Sequence, residues 1–176
     1  MKLTKILEEV ITKIGDASNP LNYKETSNET TPISTRVKYE FSIGEDIYIV
    51  GMSITKLDLE EPENKDLPKG SKAMAVYFGL KQKNSIGDYT SSTNKGDQYK
   101  IMATVSQIIK DYVKDHPEIT EIKYETDDKA RHRLYKAYLK NNNSPFKNWE
   151  IKEKGDWIDV RKPIEKKKGL FQRMFK

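Results

Sequence analysis

A short glycine-bearing loop that leads into an amphipathic helix is the stretch of this sequence best suited to chemistry. Residues 92–100 read STNKGDQYK, and a helical apolar pattern follows from about Asp97. The first N–H groups of a helix are unpaired and its dipole favours an anion, so Lys95, Gly96 and Lys100 are candidate phosphate-binding residues. Asp97 is the natural N-cap, and its carboxylate would occupy those N–H groups and repel a phosphate. We therefore predict a capped helix that holds no phosphate-bearing ligand.

Other reactive residue types are scarce. The chain has no cysteine, which excludes disulfides, thiolate metal ligands and cysteine nucleophiles. Its two histidines, His116 and His132, stand without a dense carboxylate cluster beside them. We interpret both as surface residues and predict no metal site.

The net charge of +5 is distributed unevenly along the chain. Of its 32 basic and 27 acidic residues, seven basic and one acidic lie in 161–176, which leaves 25 basic and 26 acidic residues in 1–160. The basicity belongs to the C-terminal tail, which argues against a basic nucleic-acid-binding face on the folded domain itself.

The tail itself is a candidate binding segment. Its sequence, EKKKGLFQRMFK, would place four apolar residues on one side of a helix and basic residues on the other. Such a segment fits a partner protein, nucleic acid or a membrane surface, and its aromatic content favours a partner protein. The candidate partner-binding residues are Leu170, Phe171, Met174, Phe175, Lys166, Lys167, Lys168 and Arg173.

Hydrophobic periodicity sets the expected elements. Apolar residues at helical spacing predict an amphipathic helix over residues 2–14, and the Ser, Thr, Asn and Pro-rich stretch that follows predicts a loop. Alternating patterns then predict three antiparallel strands joined in a meander, with a tight turn at Gly44. The remaining predicted elements are a helix over 97–114, a strand over 120–125, a helix opening near Thr126 and Asp127, and a hairpin about Gly155.

The length suits one domain with appendages. We expect an N-terminal helix and linker over residues 1–32, a domain over 33–161 and a basic amphipathic tail over 162–176. No apolar run reaches the length of a membrane span, and the N-terminus is unlike a signal peptide, so we expect the protein to stay in the cytoplasm of the cell that makes it.

The element order, together with MAVYFGLKQ, ATVSQIIKDYV and IKYETDDKARHRLYKAYL, resembles the core of the GNAT acetyltransferase superfamily over Ile33–Arg161. It is also similar to uncharacterised bacteriophage proteins with GNAT-like sequences. The resemblance implies an α+β or α/β fold, with a GNAT-like mixed sheet made of a meander, a splayed parallel pair and a terminal hairpin. It further implies an acetyl-CoA site between the parallel strands, with Tyr135 of the Leu134-Tyr135 pair near the thioester.

The sequence departs from that family at its ligand-binding loop. The family pattern is Gln/Arg-x-x-Gly-x-Gly/Ala, whereas Gly96 has no second glycine at the required spacing. The expected central strands contain no acid that could act as a base. Tyr135 is the candidate catalytic residue, as a general acid, but packing is the commoner role of a tyrosine on a helix.

We therefore predict a non-catalytic GNAT-like interaction or structural protein without a cofactor, a bacteriophage virion component that binds other protein chains through its terminal segments. The alternatives are an N-acetyltransferase that uses acetyl-CoA with a divergent loop, and a nucleic-acid-associated protein that acts through its tail.

Overall fold

Strands dominate the architecture of this chain. The computed structural model describes residues 20–81, 97–125, 129–140, 144 and 146–163. The strands are Tyr23–Thr30 (β1), Ser34–Ile43 (β2), Asp46–Lys56 (β3), Lys72–Leu80 (β4), Ile119–Glu125 (β5), Glu150–Lys154 (β6) and Trp157–Arg161 (β7), and the helices are Gln98–Asp115 (α1) and Lys129–Leu139 (α2). All seven strands form one sheet in the order β1-β2-β3-β4-β5-β7-β6.

The predicted meander is confirmed. Strands β2, β3 and β4 pair antiparallel in succession. Gly44 turns the chain between β2 and β3 with a φ of 59°, a left-handed conformation that costs glycine little. Gly155 has a φ of 61° and closes the predicted C-terminal hairpin of β6 and β7 in the same way.

The predicted parallel pair is also confirmed. Strands β4 and β5 lie side by side and parallel, from Lys72 opposite Ile119 to Val76 opposite Tyr124. Helix α1 connects them in the sequence, as a parallel connection requires. Beyond Val76, β4 continues to Leu80 while β5 ends at Glu125.

Both helices pack on the same face of the sheet. The side chains of β3 alternate, and Val50 and Met52, fully buried, point to this face. Helix α1 contributes Ile108 and Ile109 to the same core, and α2 contributes Leu139. The apolar core of this mostly polar chain thus lies between one face of the sheet and the two helices.

The other face of the sheet is more polar and has a close backbone approach at its centre. Arg36, Lys38 and Glu40 of β2 lie on it. On β3, a Cβ added to Gly51 would lie 1.9 Å from a ring carbon of Tyr77, its neighbour on β4. Glycine is therefore required here because the tyrosine ring lies over the backbone.

The predicted fold class is wrong. The described chain is a mostly-β structure of seven strands and two helices, not the helix-rich α/β arrangement of the GNAT superfamily. Part of the difference is residues 23–30, predicted to be a loop, which form strand β1. Among the described strands β1 pairs with β2 alone, and most of its side chains are exposed, so it lacks the apolar alternation that marks a buried strand.

Two predictions concern chain ends that the structure does not describe. The amphipathic helix predicted over residues 2–14 lies outside the described residues, as does the tail from residue 164. Of the two helices described, neither is both long and apolar enough to cross a membrane.

Candidate functional site

The N-terminus of α1 lacks the side-chain cap that the sequence predicts. Asp97 is the N-cap residue, and its carbonyl oxygen accepts a hydrogen bond from the Ile101 N–H at 3.0 Å. Its carboxylate, however, makes no capping hydrogen bond to the described helix, so the predicted side-chain cap is wrong. An N-cap normally has extended backbone angles that aim its side chain at the first N–H groups, whereas Asp97 has φ −86° and ψ 3°.

Of the three candidate phosphate-binding residues, the structure describes only Lys100. Lys95 and Gly96 lie outside the described residues. Lys100 is exposed on the first turn of α1, and its carbonyl oxygen accepts a hydrogen bond from the Thr104 hydroxyl at 2.8 Å. The absence of a phosphate-bearing ligand at this helix remains a prediction, and it no longer has the carboxylate cap as its reason.

Tyr135, the candidate general acid, belongs to the core. It is 4% exposed, and its ring centroid lies 5.4 Å from that of Phe78 on β4 and 6.0 Å from that of Tyr124 on β5. Burial raises the pKa of the Tyr124 phenol, and the nearby Tyr138 and Tyr135 raise it further. These contacts assign Tyr135 to packing of α2 against the parallel strands.

Each of the two histidines contacts a neighbouring side chain or backbone group. The ring of His116 stacks on Tyr112 with centroids 4.0 Å apart, and its Nδ1 lies 2.9 Å from the Tyr112 carbonyl oxygen. His132 on α2 lies 3.1 Å from a carboxylate oxygen of Glu153 on β6. Within the described residues, no group of three or more acidic or histidine side chains could hold a metal ion.

Among the described residues, the most extensive polar network involves the connection between β3 and β4, residues 57–71, which we call the omega loop. Its ends meet, because the Leu57 N–H donates to the Ser71 carbonyl oxygen at 3.0 Å. Asn64, 2% exposed, holds its interior by donating to the Asp58 carbonyl oxygen at 2.9 Å and to the Glu61 carboxylate at 3.2 Å. The loop has no helix or strand and yet is ordered by its own hydrogen bonds.

The omega loop is fixed to the sheet by Arg161, the last residue of β7. The guanidinium donates to the Glu63 carbonyl oxygen at 2.9 Å and to the Asn64 side-chain oxygen at 3.3 Å. It also forms a close ion pair with Glu121 of β5, directly opposite it in the sheet. One side chain thus joins the loop, β5 and β7.

Glu121 is the most buried carboxylate of this network, with a side chain 1% exposed. Burial alone would raise the pKa of its carboxyl group, but hydrogen bonds from Lys123 and Arg161, together with their charges, outweigh burial and lower it. Lys123 lies 3.0 Å away, on the same face of β5. The carboxylate is therefore held ionised between two cations.

Sequence reasoning missed this network. In the sequence, Arg161 is one of the seven basic residues of 161–176, and no motif distinguishes residues 57–71. A signal was present at Glu121, an acid in a strand that also carries Ile119, Ile122 and Tyr124, because a charge that is buried with such a strand requires a partner. The sequence alone does not say which cation supplies it.

The network lies at one end of the sheet, which we call the base. There Lys56 of β3 pairs with Lys72 of β4, and Lys72 with Ile119 of β5. Helix α1 also ends there, since its C-terminus leads directly into β5. Its 18 residues span about 27 Å, so its N-terminus lies far from the base.

The last described residues of the chain lie at the opposite end of α1 from Lys100. The tail leaves the fold at the base, where the Lys162 N–H donates to the Thr120 carbonyl oxygen at 2.9 Å. Lys100, at the start of α1, is far from this point. The partner-binding residues predicted on the tail, from Lys166 to Phe175, lie outside the described residues.

Comparison with known proteins identifies a family but no activity. No curated protein and no solved structure matches the chain. A family profile matches residues 68–157, from the end of the omega loop to the first residue of β7, which is just over half of the chain. The chain therefore belongs to the family described as "Family of unknown function (DUF6934)".

Proposed function

We propose that this protein is a non-catalytic interaction protein, a component of a larger protein assembly, that binds its partner through the tail at the base of the sheet. The observation that carries the proposal is the anchoring of Arg161. The residue from which the tail departs is held by the omega loop and by Glu121 at once. A binding segment that starts from a rigid point costs less entropy to position than one on a loose terminus.

Charge at the base supports the same function. The omega loop carries five acidic residues and two lysines, all of them exposed. The tail that starts beside it carries six basic residues and one acid over 162–176. A partner that docks at the base therefore meets both signs of charge, which favours a specific orientation over general attraction.

The apolar residues of the tail supply the affinity in this proposal. Leu170, Phe171, Met174 and Phe175 together offer several hundred Å² of apolar surface, at roughly 25 cal/mol per Å² buried. In the bound state they pack into the partner, while Lys166, Lys167, Lys168 and Arg173 lie at the rim. The bacteriophage virion as the assembly stays a prediction from the sequence resemblance.

Site-specific photo-crosslinking tests this proposal. A photo-reactive phenylalanine analogue replaces Phe171 in the tail, and the matched control carries it at Ile47, an exposed apolar residue at the end of the sheet away from the base. Both chains are expressed in the source cell and the crosslinked products are identified by mass spectrometry. We expect position 171 to crosslink another polypeptide and position 47 not to. Crosslinks of position 171 only to its own chain would contradict the proposal.

Calorimetric titration with acetyl-CoA separates this function from the acetyltransferase alternative. We expect no measurable binding to the purified full chain. Binding in the micromolar range would refute the non-catalytic assignment.

A further inference from the structure

Strand β1 forms one edge of the sheet. Within the described part of the chain it pairs with β2 alone, so alternate N–H and C=O groups along it point away from the sheet. The Thr31 N–H donates to the Ser34 carbonyl oxygen, which places the backbone of residue 31 toward β2. Because successive residues alternate along a strand, the backbone N–H and C=O groups of Glu29 also point toward β2. Those of Asn28 and Thr30 point away from the sheet.

The register also shows which backbone groups in the first half of β1 point away from the sheet. A β-bulge interrupts the register between Glu25 and Ser27. Beyond it, Lys24 lies opposite Glu40, in line with the β2 residues whose backbones face β1, so Tyr23 and Glu25 direct their backbones outward. The edge thus consists of two short regular halves, residues 23–25 and 28–30, separated by the bulge.

Charges on the polar face of this edge follow an alternating order. Lys24 lies opposite Glu40 of β2, and Glu40 forms an ion pair with Lys81 at 2.7 Å. In the other half of the strand, Glu29 lies opposite Arg36. Both Lys24 and Glu29 are exposed, so on this face the first half of the edge carries a lysine and the second half carries a glutamate.

We propose that β1 pairs antiparallel with β1 of a second copy of this chain, which joins the two sheets into one. The register that places outward-facing residues opposite each other sets Glu25 against Asn28 of the partner subunit and Tyr23 against Thr30 of the partner subunit. The bulge then lies at the two-fold axis, and each regular half pairs with the other half of the partner.

That register also pairs Lys24 with Glu29 of the partner subunit, on the same face of the joined sheet. The row of side chains across the junction alternates in sign, from Glu40 through Lys24 to the partner's Glu29 and the partner's Arg36. A shift by two residues in either direction separates Lys24 from the partner's Glu29. Because like charges in directly opposite positions destabilise a pair of strands, this complementarity specifies both the occupant and the register.

Sedimentation velocity of the full chain tests the backbone part of the proposal. Asn28→Pro removes an N–H that faces away from β2, and its ring blocks the approach of a second strand, while the β1–β2 pairing is kept. Asn28→Ala, which retains the N–H, is the matched control. We expect wild type and Asn28→Ala to form dimers and the dissociation constant of Asn28→Pro to rise about tenfold or more. A monomeric wild type, or an Asn28→Pro dimer of unchanged affinity, would overturn the proposal.

Charge exchange tests the register. On the polar face of the edge, a Lys24→Glu copy presents two acids and a Glu29→Lys copy presents two lysines, so each repels itself. We expect each variant alone to be monomeric and an equimolar mixture to form a heterodimer, with thermal melts confirming that both fold. If either variant dimerises alone as well as wild type does, the proposed register is wrong. The edge is at the opposite side of the sheet order from β7, so this test is independent of the tail.

Discussion

Replacing Arg161 by methionine removes the cation that joins the omega loop to the sheet. Glu121 then stays buried with only Lys123, at 3.0 Å, to balance it. Removing one partner of a buried ion pair costs about 3–5 kcal/mol, and because Lys123 remains we expect about 3 kcal/mol of unfolding free energy to be lost. For a chain of this size that lowers Tm by about 6–12 °C.

The dependence on pH distinguishes a lost ion pair from lost packing. In the wild type, the lowered pKa of Glu121 contributes stability that is present above the unfolded value of about 4.3 and is lost as the pH falls through the folded value. Without Arg161 the Glu121 carboxyl is protonated at a higher pH, which removes the uncompensated charge. The deficit of Arg161→Met should therefore shrink as the pH falls from neutral toward about 4.

Urea denaturation of the variant at neutral and acidic pH measures both effects. The double variant Glu121→Leu/Arg161→Met removes both charges together, and we expect it to recover about 2 kcal/mol relative to Arg161→Met. A deficit that is the same at both pH values, or a double variant as unstable as the two single losses combined, would refute the assignment of Arg161 as the counter-ion of Glu121.

Two further predictions concern the sheet and its contact with α1. The Tyr23 phenol on β1 donates a hydrogen bond to the Asp111 carboxylate of α1. Burial, followed by this bond and the Asp111 charge, raises the pKa of Tyr23 to about 12. Tyr23→Phe should cost about 1 kcal/mol in urea denaturation, and a change near zero would show that the bond contributes nothing. Gly51→Ala should destabilise the fold by about 1–3 kcal/mol because the new Cβ meets the Tyr77 ring. In a Tyr77→Ala background the same substitution should cost much less, and an equal cost in both backgrounds would mean that the ring does not lie over Gly51.

Periodicity in the sequence was enough to place most of the sheet. Strand β2 alternates because one of its faces is buried in the core, whereas β3 is almost continuously apolar because consecutive residues on both of its faces are buried. Helix α1 shows a helical stripe because one side of it packs on the core. Strand β1 was not predicted because it is a polar edge strand. Such a strand is stabilised by backbone pairing with β2 and shows no alternation of apolar residues.

The site was less predictable because it depends on geometry that residue types do not encode. Asp97 has the right side chain for an N-cap, but backbone angles decide whether a carboxylate reaches the helix N–H groups. Arg161 counts equally with every other basic residue in a sum of charges, although its contacts with Glu121 and the omega loop distinguish it. Long-range pairs of this kind appear only once the strands are placed in register.

Deletion of Lys168–Lys176 tests the central claim most directly. The tagged full-length and truncated chains are recovered from the source cell, and the mass of each complex is measured by size-exclusion chromatography with light scattering, alongside a thermal melt of each purified chain. We predict that truncation abolishes association with the larger assembly and leaves Tm nearly unchanged, while any dimer formed through β1 persists. A truncated chain that still enters the assembly, or one whose Tm falls by many degrees because the tail packs on its own sheet, would contradict the proposed function.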